Sequence, residues 1–89
     1  MKRVLSVRER RKLGITFYGV LTTLRAMKRD GVDVRGTERR ERAEMVFSRL
    51  LDDRPDAVAE IDWDNIDWDA ILAFIEKVIE LVMKLIAVL

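Results

Sequence analysis

Residues 70–89 read AILAFIEKVIELVMKLIAVL, and the reading of this stretch decides the fold. Sixteen of its twenty residues are apolar, and its only charges are Glu76, Lys77, Glu80 and Lys84. With Ile75, Val82 and Leu89 at heptad position a, the residues Ile71, Val78 and Leu85 fall at d. That alternation of four and three keeps one seam turned toward a partner helix. Leu72, Ile79 and Ile86 then occupy e, and Phe74, Leu81 and Val88 occupy g, where a two-stranded coil would carry charge. Glu80 precedes Lys84 by four residues, the favourable order for a helical ion pair. A core-facing bundle helix needs about three apolar positions in seven. This one has an apolar fourth, which predicts neighbours on two flanks.

β-branched residues at both a and d shift preference from dimers toward higher oligomers. The expectation is an all-α chain, two antiparallel helices plus a long C-terminal helix, forming an oligomeric helical bundle. Ile71, Leu72, Phe74, Ile75, Val78, Ile79, Leu81, Val82, Leu85, Ile86 and Leu89 would carry the contact. The plainer reading is a helix buried inside a monomeric three-helix domain.

A spanning helix is disfavoured by magnitude. Twelve Leu, Ile, Val and Phe residues supply roughly 4–7 kcal/mol of insertion free energy, whereas the charges cost about 10 even if Lys84 snorkels. An interfacial helix usually has a strongly basic polar face; this one carries two Glu and two Lys.

Eighty-nine residues make one domain, of a size at which oligomerisation often completes the core. There is no Cys and no His. Their absence removes disulfides, the usual zinc sites and the His-based nucleophile pairs. No Gly-rich phosphate loop or nucleophile motif is present either. The sequence therefore predicts a non-enzymatic protein with no catalytic, cofactor-binding or metal-binding residues. The N-terminus is charged but lacks the apolar region of a secretory signal, which predicts an intracellular location in a host cytoplasm, or a place in a virion.

Charge is segregated along the chain. Residues 1–51 hold fourteen Lys and Arg against six acids, and residues 52–69 hold one Arg against eight acids. The layout suggests three segments of one domain: a basic helical hairpin at 1–54, an acidic Trp-containing linker at 55–69 and an apolar oligomerisation helix at 70–89. In the hairpin, Leu13, Phe17, Val20, Leu21, Leu24 and Met27 recur at helical spacing, predicting one helix from about Val7 to Asp30 that stops at Gly31. The β-branched and aromatic run Ile15 to Thr23 could be a strand on propensity alone, but no comparable strand exists to pair with it. Gly14 and Gly19 would mark close approach of helices. Thr37 is the expected N-cap of a second helix whose stripe is Ala43, Val46, Phe47, Leu50 and Leu51. Pro55 ends that helix and opens a short turn.

The linker contains a direct repeat, Ile61-Asp62-Trp63-Asp64 and Ile66-Asp67-Trp68-Asp69. Trp63 and Trp68 are the expected anchors, and Asp67 the N-cap of the last helix. A calcium loop starting at Asp62 fails, because position 5 would be Ile66 and position 12 Ala73 where oxygen ligands are required.

Lys2, Arg3, Arg8, Arg10, Arg11 and Lys12 form a basic arm able to meet an anion or nucleic acid. A helix-turn-helix fits poorly, because the connection from Asp30 to Gly36 exceeds the usual turn. The competing explanation is self-complementarity between the basic half and the acidic linker. A non-enzymatic structural or assembly protein, self-associating or docking through its last helix, is the leading reading. A nucleic-acid-binding module and a membrane-active small protein are the alternatives.

The tail from Ile66-Asp-Trp-Asp-Ala-Ile-Leu-Ala-Phe through Leu89 resembles the ends of small bacteriophage-encoded proteins, which place a short acidic Trp segment before a very apolar C-terminal helix. The resemblance covers about a quarter of the chain. It implies a virion component, or a small lysis- or host-directed phage protein, and it transfers no site residues.

Overall fold

The computed structural model describes residues 2–86. Among them are five α-helices and one 3-10 turn: α1 Val7–Lys12, α2 Phe17–Arg29, α3 Arg39–Asp52, α4 Pro55–Ala59, the turn Trp63–Asn65, and α5 Trp68–Leu85. The fold is all-α. Strand-like pairing among the described residues is confined to one parallel bridge between Arg3 and Ile66.

Where a single helix was expected from Val7 to Asp30, there are two. Ser6 and Glu9 start α1 with a reciprocal capping box: the Glu9 N–H donates to Ser6 Oγ at 3.1 Å, and the Ser6 N–H to Glu9 Oε1 at 2.9 Å. Gly14, at φ 73°, ends it. The Ile15 N–H reaches the Arg10 carbonyl at 2.8 Å and the Gly14 N–H the Arg11 carbonyl at 3.1 Å, the bond pair of a Schellman end.

Thr16 then caps α2, its Oγ1 accepting from the Gly19 N–H at 3.0 Å. Gly19 does not serve the helix–helix approach that the sequence suggested. A Cβ there would lie 2.0 Å from the Gly14 carbonyl oxygen, so its bare backbone lets the first turn of α2 close on the loop that ends α1. Leu13, Ile15 and Val20 are buried on both sides of the break, which is why the apolar pattern reads as continuous. The ambiguous β-branched run is helical from Phe17 onward.

Gly31 stops α2 as expected, with Val32 N–H to the Met27 carbonyl at 2.8 Å. Thr37 is not the cap of α3. Its hydroxyl donates to the Val34 carbonyl within the turn, and the unassisted Glu38 precedes the helix instead. Pro55 occupies the first turn of α4, and Asp67 caps α5 by accepting from the Ala70 N–H at 3.1 Å.

The core forms where α5 packs on α2 and α3. Leu13, Val20, Val46, Leu50, Ile66, Ile75, Ile79 and Val82 are its largest fully buried members. They come from all three sequence segments, so the hairpin, linker and last helix share one interior. Asp30, just past α2, is bonded by Arg49 in the last turn of α3 at 2.7 Å, rather than by the first turn of α3 as a tight hairpin would have it.

Candidate functional site

The two sides of α5 have separate environments. Ile71, Leu72, Ile75, Ile79 and Val82 are buried against α2 and α3. In heptad terms the buried face is centred on a and e, not on the a/d seam read from the sequence, because successive residues advance by about 100° and the neighbours sit on that flank. These five residues, expected to meet other copies, lie in the chain's own core. Leu89 lies outside the described residues, and Ile86 packs at the core's edge.

What remains outward is the g/d side. Phe74, Leu81 and Leu85 are 38%, 48% and 63% exposed, and Val78 between them is half-buried. Their spacing of four, three and four puts them in one continuous stripe. At its N-terminal end the stripe runs into a cleft of about 210 Å³ lined by Val4, Leu5, Arg10, Ile15, Ala70, Ile71 and Phe74. The arm ahead of α1 makes one wall of this cleft. It is held there by the Arg3–Ile66 bridge, with Arg3 N–H to the Asn65 carbonyl at 2.8 Å and Asp67 N–H to the Arg3 carbonyl at 2.9 Å.

The arm's cations divide into two groups. Arg3 grips Glu9 with both guanidinium nitrogens at 2.7 and 2.9 Å. This bidentate bond, with the Ser6 N–H, holds the Glu9 carboxyl down to about 2. Lys12 reaches Glu60 of the acidic linker at 2.8 Å and lowers that carboxyl too. Arg10 donates to the Leu5 carbonyl at 2.9 Å and lies 4.6 Å from the Phe74 ring centroid, a cation–π contact at the mouth of the cleft. Lys2, Arg8 and Arg11 are exposed, with no carboxylate at ion-pair distance among the described residues. Half of the candidate anion-contacting set is therefore engaged within the chain.

The remaining charges on α5 are sorted by side. Asp69 pairs with Arg40 at 2.5 Å and Glu80 with Arg39 at 2.7 Å, both toward α3. Glu80 thus takes Arg39 rather than Lys84, the partner its spacing suggested. Lys77 and Lys84 stand beside the stripe, exposed and without a carboxylate partner among the described residues.

Trp63, in the 3-10 turn, and Trp68, the first residue of α5, lie against α3. Their rings stack at 5.1 Å, and both meet Phe47 edge-on, at 6.1 and 5.6 Å. Trp63 Nε1 also donates to the Val58 carbonyl at 2.9 Å. Among the described residues no cluster of three potential metal ligands forms, and no helix is long and apolar enough to cross a membrane. Sequence reasoning missed the cleft, which needs the arm and α5 brought together from opposite ends of the chain. It also missed Ser6 and Glu9, although the Ser-x-x-Glu spacing is a local signal for a helix start.

Comparison with family models, with characterised proteins and with solved structures finds no match to this chain.

Proposed function

We propose that the chain is a non-enzymatic assembly protein that docks through the outer side of α5. The observation that carries this reading is the stripe Phe74, Val78, Leu81 and Leu85, left outward on a helix whose opposite side is already packed. A single exposed Leu is ordinary, but an aligned row on a core helix, continuous with a cleft, marks an interaction surface. An assembly role is also in keeping with the likeness of the tail to the ends of small phage-encoded proteins.

Site-specific photo-crosslinking in the producing cells tests it. A photoreactive residue at position 81 is expected to give one discrete adduct, and the same probe at exposed Ser48 on α3 none. An adduct at twice the chain mass of 10.4 kDa would identify a second copy as the occupant. Absence of any adduct at both 81 and 85 would remove the docking reading.

A further inference from the structure

We propose that the stripe and the cleft together receive an acidic amphipathic helix from a partner protein, with one large apolar side chain of that helix seated in the cleft. The proposal rests on the docking reading above and names its occupant. Three observations converge on it.

The first is the charge along the stripe. Lys77 lies three residues past Phe74 and four before Leu81, and Lys84 three past Leu81, so both line one edge. Arg10 adds a third positive group at the cleft end, 4.6 Å from the Phe74 ring. The carboxylates of α5 are turned the other way: Asp69 and Glu80 pair with Arg40 and Arg39, and Glu76, four residues before Glu80, shares their side. The helix thus presents its acids to α3 and its cations to whatever covers the stripe.

The second is shape. The cleft of about 210 Å³ has apolar walls throughout except for Arg10. A cavity of about 150 Å³ suffices to hold benzene, so the cleft has room for one Phe, Leu or Met side chain. A buried anchor at one end of a groove, with weaker contacts along the rest, is the usual energetic layout of helix recognition.

The third is what the other occupants would meet. A second copy docked antiparallel and stripe to stripe would set the edge that carries Lys77 and Lys84 against the same lysines, and like charges across a seam are a penalty. A lipid surface wants a projecting apolar edge above a strongly basic face; here the apolar surface dips into a cleft, and its flank carries, among the described residues, only Lys77, Lys84 and Arg10. An acidic helix with apolar residues at i, i+4 and i+7 satisfies both the stripe and its cations.

The test is a selection of short random peptides, displayed on phage, against the immobilised full chain, followed by anisotropy titration of the enriched sequences. The expected winners are acidic, carry apolar residues at helical spacing and gain helical signal on binding. Leu81→Glu should weaken them at least about tenfold, and the pair Lys77→Glu, Lys84→Glu by a similar factor that shrinks as salt rises. All three positions are exposed, and circular dichroism checks that the variants keep the fold. Enrichment of basic or unpatterned peptides, no enrichment, or binding indifferent to these variants would overturn the proposal. So would a dimer, or sedimentation with phosphatidylglycerol vesicles, that Leu81→Glu abolishes. A crosslinked adduct at position 81 combined with any of these results would sink the acidic occupant while leaving docking intact; no adduct at all sinks both.

Discussion

The inner and outer sides of α5 are chemically alike and structurally opposite. Ile75 and Ile79 on one side are wholly buried, while Leu81 and Leu85 on the other stand in the open. Nothing in side-chain type separates them. What separates them is the flank of the helix on which α2 and α3 pack, which leaves one strip of a broad apolar face uncovered. Hydrophobicity along a sequence therefore sets how much surface must be covered, and the packing of neighbours sets which part is covered within the chain. Only the uncovered part is available for function.

The largest expected effect comes from breaking the inner side. Ile79→Ala removes methylene groups from a fully buried site and should cost about 2–5 kcal/mol of unfolding free energy. Leu85→Ala on the outer side should change it by less than about 0.5 kcal/mol. Urea titration followed by circular dichroism measures both. Equal losses would mean that the two sides are energetically the same, and the division drawn here would collapse.

Next comes the joint that sets the angle of α2. Gly19→Ala would place a Cβ 2.0 Å from the Gly14 carbonyl oxygen, a contact with backbone that no rotamer relieves. We expect a loss of about 2 kcal/mol or more, since the first turn of α2 must move away from the loop after α1. Gly31→Ala offers a control: its Cβ would meet open space, and only the positive φ of 86° would be strained, at about 1–2 kcal/mol. A midpoint for Gly19→Ala at or above that of Gly31→Ala would show that the close approach does not constrain α2.

The same division explains which parts of the molecule could be read from the sequence. The Asp67 cap of α5, the Gly31 stop and the Pro55 break are local, and each was legible; the helix expected over 70–89 instead starts at Trp68 and ends at Leu85, leaving Ile86 outside it. The break after α1 was equally local, written in Gly14 and Thr16, but the apolar spacing of Leu13, Phe17 and Val20 ran across it and masked it. Thr37 misled because its hydroxyl serves the Val34 carbonyl instead of the helix. Which side of α5 faces inward was not legible, since an apolar face this broad leaves the direction free until α2 and α3 are placed. The cleft was not legible for the same reason: it exists only when Arg3 pairs with Ile66.

The Arg3 side chain ties the same arm to Glu9, and this ion pair should make the cleft end of the outer side respond to pH. The Glu9 carboxyl titrates at about 2 when folded, against 4.5 as its ordinary value. The folded state resists the proton more than the unfolded chain does. The contribution of Glu9 is therefore full above about 4.5 and fades as pH falls toward about 2. Because the pair is solvent-exposed on the Arg3 side, its effect on global stability should stay near or below about 1 kcal/mol. The local effect should be plainer. The protection of the Arg3 and Asp67 amides, whose N–H groups close the bridge, measured against the intrinsic exchange rate at each pH, should fall through that window while amides in the middle of α5 keep theirs. Glu9→Gln should remove the pH dependence. Protection at Arg3 that is flat from neutral pH to pH 2 would show that the Arg3–Glu9 pair does not hold the arm.

The smallest expected effect sits on α3, beside the core that the inner side of α5 shares. Arg42 Nε is buried there with no hydrogen-bond partner among the described residues. A lost partner for a buried N–H costs more than a made bond gains. Arg42→Met keeps the apolar stem and removes the unpaired donor. Stability should therefore rise, by about 0.5–1 kcal/mol, rather than fall as for most substitutions next to a core. The sign is the informative part. A gain would show that the Arg42 guanidinium adds nothing to holding α3 beyond the apolar contact of its stem. A loss would mean that the guanidinium itself takes part in holding α3.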